Sequence, residues 1–129
     1  MIALVVVLLL AGVLLAALFA AIAVPVWAVA YSGAIELPMP GIWWHAHEII
    51  FGFAIAVIIG FLFTSGRNWT GLDTPEGKPL MVLAAVWLAG RLAMAFDSGV
   101  WVAIIDLAFL PVAAGMLLRV LIKARSKRN

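Results

Sequence analysis

The sequence predicts an all-α protein, a polytopic transmembrane bundle of four helices. Three observations lead there. The chain is 67% hydrophobic and only 11% charged, whereas a soluble domain is about 45–50% apolar and about 25% charged. Its mean hydropathy is +1.25. Its apolar residues also gather into four long runs separated by short polar segments, and a bilayer core of about 30 Å needs roughly 20 helical residues.

The runs give the elements in order. The first helix is expected over about 2–30. It is longer than a crossing needs, so it should tilt, or bend where Pro25 removes a backbone donor. Its start, "MIALVVVLLL", has no basic region ahead of the apolar run, which argues for a retained helix over a cleaved leader. The second helix is expected over 45–63, the third over 79–96 and the fourth over 100–121. "DSG" between the last two is a tight turn, so helices three and four should form an antiparallel hairpin. "TSGRNWTGLDTPEGKP" reads as a polar, turn-forming connection. The tail, 122–129, is basic and expected to fray. The whole chain, 1–129, reads as a single membrane domain.

Charge placement gives orientation. Seven of the eight Lys and Arg residues fall in the segment after the second helix, at the end of the fourth, or in the tail. Only Arg91 does not. Basic residues in short loops mark the cytoplasmic side. Both termini are therefore expected in the cytoplasm of a bacterial cell, with the chain in the inner membrane and the stretch "WWHAHE" facing outward. The clustering of basic charge at one membrane face, rather than across the surface, argues against a nucleic-acid partner. The partner expected is the lipid bilayer. Without Cys there is no disulfide framework and no thiolate metal site. No phosphate-binding glycine loop or Ser-His-Asp order is present, so no enzyme class is assigned. Gly52, Ala56 and Gly60 recur at every fourth position of the second helix, a spacing that lets helix backbones approach closely in lipid.

Two sets of polar residues stand out. Arg91 and Asp106 lie at nearly equal depth on the two arms of the hairpin. Ionisable groups in a membrane cost roughly 2.5–3.5 kcal/mol each on insertion scales, and an ion pair would offset both. The pair either holds the hairpin together or serves a bound ligand. The second set is His45, His47 and Glu48 at the start of the second helix. Imidazole is a common ligand of haem iron, copper and zinc. If the helix starts after His47, both rings can share a side and one metal. If it starts at Trp44, they diverge and only one can enter the bundle. Glu48 would then orient an imidazole by accepting its N–H. The plainer alternative leaves His45 and Glu48 wet at the interface.

"WHAHEIIFGFAIAVIIGFLFTSGRNWTG", followed by "LAAVWLAGRLAM", resembles the NnrS family of bacterial membrane proteins over residues 27–94. The resemblance implies a polytopic protein that contains haem and copper and acts in the nitric oxide response and denitrification. It makes His45 and His47 the candidate cofactor and metal ligands, and Glu48 and Arg91 motif positions without an assigned role. The chain departs from the family in two ways. Members are usually much longer, with more helices, which raises the expectation of a fragment or a short relative that needs partner helices or a homo-oligomer. Ile49 also stands where the family usually has Met. Two alternatives to the haem and copper reading are a cofactor-free transport or scaffold module and an incomplete four-helix piece of a larger protein.

Overall fold

A computed structural model describes the backbone of residues 2–128 and the side chains of residues 10–127. The last residue of the tail, Asn129, lies outside the described residues. Among those described there are helices and no strand. Helix α1 spans Ile2–Tyr31, α2 spans Gly41–Thr70, α3 spans Lys78–Phe96 and α4 runs from Val100 through Arg128. All four are long and apolar enough to cross a membrane. Large apolar side chains face outward on each of them, such as Ile22, Ile58, Leu92 and Leu118. That surface would be a liability in water and suits lipid.

Helix α2 begins four residues before the expected start at His45. Pro40 sets this boundary. Its fixed φ, −51° here, and its carbonyl, which accepts the N–H groups of Trp43 and Trp44, start the first turn early. The helix also runs seven residues past the expected end at Phe63. "TSG" read as a turn, but Thr64 Oγ1 bonds back to the Gly60 carbonyl at 2.9 Å and Thr70 Oγ1 to that of Gly66 at 2.6 Å. These hydroxyls satisfy themselves on the helix and need no loop. Phe63 through Gly66 are buried, so packing also favours the extra turns. Gly71 ends the helix at φ +64°, donating its N–H to the Arg67 carbonyl.

Helix α4 consists of Val100–Leu107 and Phe109–Arg128. The interruption at Ala108 lies three residues before Pro111. Proline there offers no N–H to the Leu107 carbonyl and crowds it. The tail does not fray as expected. It continues α4 to Arg128, because Val120 and Ala124 are buried.

Packing is centred on α2. Helix α1 packs its backbone against α2, which in turn packs against α3 and α4, and these two pair as a hairpin. In the hairpin turn, Asp97 Oδ1 accepts the N–H groups of Ser98 and Gly99. The core holds Phe63, Leu83, Trp87, Phe109 and Ala113. Phe19 of α1 reaches it edge-on, its ring 5.4 Å from that of Trp87.

The small-residue face of α2 meets α1. Gly60 and Gly12 touch backbone to backbone, and a Cβ at Gly12 would lie 3.7 Å from the Gly60 Cα. A methyl at Gly52 would overlap the Phe19 ring. Gly52→Ala should therefore cost about 1–3 kcal/mol through overpacking, and adding Phe19→Leu should recover part of it. Thermal unfolding in detergent measures both. An undiminished melting temperature for Gly52→Ala would show that α1 does not dock there.

Candidate functional site

Four charged or chargeable side chains converge near one end of the bundle. Counted at 1.5 Å per residue, His47 and Glu48 lie about 9–10 Å from the start of α2, Arg91 about 7–8 Å from the end of α3, and Asp106 about 9 Å from the start of α4. Those three helix ends sit at the same face of the bundle, so equal counts along the chain become equal depth. Close approach completes the alignment. Gly90 lies against Asp106, and a Cβ there would be 3.0 Å from the Asp106 Cα. Only glycine lets α3 and α4 come this near. Trp44 fastens α2 to the hairpin by donating its indole N–H to the Met94 carbonyl at 3.1 Å.

The four groups form a closed ring. Arg91 donates through Nη1 to Glu48 Oε1 at 3.0 Å and pairs through Nη2 with Asp106 Oδ1. His47 Nδ1 lies 3.0 Å from Glu48 Oε1, and His47 Nε2 lies 3.1 Å from Asp106 Oδ2. Both ring nitrogens of His47 thus face carboxylate oxygens, one from α2 itself and one from α4. Glu48, Arg91 and Asp106 are 2–5% exposed, whereas the His47 side chain is 22% exposed and covered on one side by the stacked ring of Phe51. Glu48 Oε2 and Arg91 Nε are buried without a hydrogen-bond partner among the described residues. A buried polar network with unpaired atoms is not the cheapest way to join three helices.

A wide helical turn places the ring. Residues Glu48–Ala54 are a π-helix, closed by Ile55 donating to the Ile50 carbonyl five residues back. Such turns re-aim side chains and recur at functional sites. Glu48 is its first residue, so the wide turn changes its direction relative to the part of α2 that follows, from Ile55 on.

The sequence suggested the Arg91–Asp106 pair and a carboxylate beside an imidazole, and the structure joins them into one unit. It does not bring His45 and His47 together. Since α2 begins at Gly41, both lie within the helix and point apart. His47 enters the ring, while His45 stacks on Trp27, with ring centres 4.1 Å apart and planes 20° apart. What sequence reasoning missed was the contact between Arg91 and Glu48, 43 positions apart. The signal for the close approach was Gly90, a residue without a side chain next to a buried arginine.

Haem iron or copper needs an imidazole nitrogen with a free lone pair. His47 has none to spare in this arrangement, since both of its nitrogens face carboxylates. His45 makes no side-chain hydrogen bond among the described residues, and its ring is held flat by Trp27. Among the described residues no three His, Cys, Asp or Glu side chains group as a metal site. The two imidazoles therefore do not share a side, and His45 is the one without a hydrogen bond among the described residues.

Four apolar crossings, three of them joined by a buried ring of charge near one end, define a multi-pass membrane protein. The model of the family described as NnrS protein matches residues 13–129. The chain belongs to the NnrS family, and the match extends well beyond the stretch whose motifs suggested it. No curated protein and no solved structure matches it.

Proposed function

We propose that this chain acts in the nitric oxide response or in denitrification-linked metabolism, as an NnrS-type protein of the bacterial inner membrane that holds haem or copper through His45. The observation that carries the reading is the contrast between two imidazoles within one family motif. Both nitrogens of His47 are engaged, while His45 is oriented by an aromatic ring and makes no side-chain hydrogen bond among the described residues. Haem or copper, when bound, supplies one-electron chemistry at this end of the bundle. Glu48, Arg91 and Asp106 fix His47 and the start of α2, and through the helix they fix His45. Remaining ligands come from a second copy or from partner helices. The basic end faces the cytoplasm with both termini, and the histidine end faces outward, as the Lys and Arg bias supports.

The test is the optical spectrum and the metal content of protein purified in mild detergent. His45→Ala should abolish bound haem or copper. His47→Ala should lower affinity about 10–100-fold, as expected for a residue acting through its neighbours. If both variants keep the wild-type Soret band and metal content, the ligand assignment is wrong.

A second reading has its own support in the closed ring, which ties α2, α3 and α4 together without any cofactor. In it the chain is a cofactor-free scaffold or transport module. A colourless, metal-free but well-folded protein favours that reading.

A further inference from the structure

The basic end of α4 is a cationic helix whose basic side chains make no ion pair among the described residues. It carries Arg119, Lys123 and Lys127, spaced four residues apart, so they form one stripe along the helix. All three are exposed. The helix beneath them is anchored, since Val120 and Ala124 are buried and Leu117 packs close to Gly66 of α2. The nearby acids are already committed. Asp73 and Glu76 both pair with Arg67, at 2.8 and 3.6 Å. None of the three stripe residues makes an ion pair among the described residues, whereas Arg67 does.

Depth indicates what the stripe meets. Counting from Val100, Arg119 lies about 28 Å along the helix and Lys127 about 40 Å. The hydrocarbon core is about 30 Å thick, and about 40–45 Å with its headgroup layers. The stripe therefore starts at the edge of the core and runs through the headgroup layer. A cation there without a protein partner faces lipid phosphates.

We infer that Arg119, Lys123 and Lys127 form a docking site for the headgroups of anionic phospholipids. The inference goes beyond the haem and copper reading and does not depend on it; it needs only that α4 crosses the bilayer. Because the helix is already ordered, binding orders no new segment. The stripe selects lipids by geometry as well as by net charge.

Native mass spectrometry of the purified full chain tests this, with dioleoylphosphatidylglycerol and dioleoylphosphatidylcholine offered in equal amounts. The wild type should retain the anionic lipid at least tenfold in preference. Each basic residue near the surface contributes about 1 kcal/mol, or about fivefold. Lys123→Gln should therefore lower the preference about fivefold, and the triple variant Arg119→Gln, Lys123→Gln, Lys127→Gln should bring it near unity. These side chains are exposed, so the fold should persist, as circular dichroism will show. Lys123→Gln combined with Leu121→Lys keeps the net charge but moves it off the stripe, and should lose as much as Lys123→Gln alone. A wild type with no preference, or a relocated charge that restores full preference, overturns the site. Displacement of the anionic lipid by millimolar inorganic phosphate also overturns it, because the site would then take a free anion.

Discussion

Arg91→Leu should destabilise the folded chain by about 3–5 kcal/mol, read as a shift in unfolding in detergent. The cost comes from what is left behind. Arg91 is the partner shared by Glu48 and Asp106, and removing it leaves two carboxylates in a site only 2–5% exposed. Breaking a buried pair costs far more than the pair contributes, because a charge is left without compensation. Arg91→Lys should rescue poorly. An ammonium is a single point of charge, while the guanidinium reaches Glu48 through one nitrogen and Asp106 through another. Replacing both carboxylates along with the arginine, with Glu48→Gln, Arg91→Met and Asp106→Asn together, should restore most of the loss. Exchanging charges, with Arg91→Asp and Asp106→Arg, should not, since it puts a carboxylate against Glu48. An isolated Arg91–Asp106 clasp would tolerate that exchange, so the double variant separates a pair from a ring. An Arg91→Leu protein as stable as the wild type would mean the ring is not formed.

The fold was legible because the membrane imposes a simple length rule. Apolar runs of sufficient length, and Gly and Pro between them, mark the crossings. Boundaries were less legible where a residue has two uses. Thr64 and Thr70 belong to turns in water, but here they bond to their own helix. Pro40 ends one segment and starts the next. In the site, equal depth along the chain foretold that Arg91 would meet Asp106. The third helix of the ring was harder to foresee. Glu48 enters it through a π-helical turn, which no residue pattern announces. The directions of His45 and His47 hung on whether the helix starts before or after them; it starts at Gly41, so both lie within it and point apart.

Gly90→Val should be nearly as damaging as Arg91→Leu, although it removes no charge. Any Cβ at position 90 would lie 3.0 Å from the Asp106 Cα and 3.1 Å from its Oδ1. The first of these is backbone, which cannot rotate out of the way. Overpacking alone costs typically about 1–3 kcal/mol, which is the expectation for Gly90→Ala. The branched valine must push α4 away from α3, and Asp106 then loses both Arg91 and His47. The loss should approach the about 3–5 kcal/mol of a broken buried pair. Combining Gly90→Val with Arg91→Leu should cost clearly less than the sum, since residues in one network are not additive. Gly115→Ala is the control. A Cβ there meets nothing within 4 Å, and the helix should gain up to about 1 kcal/mol from the better helix former. If Gly90→Val is tolerated as well as Gly115→Ala, α3 and α4 do not meet at Asp106 and the ring loses its fourth member.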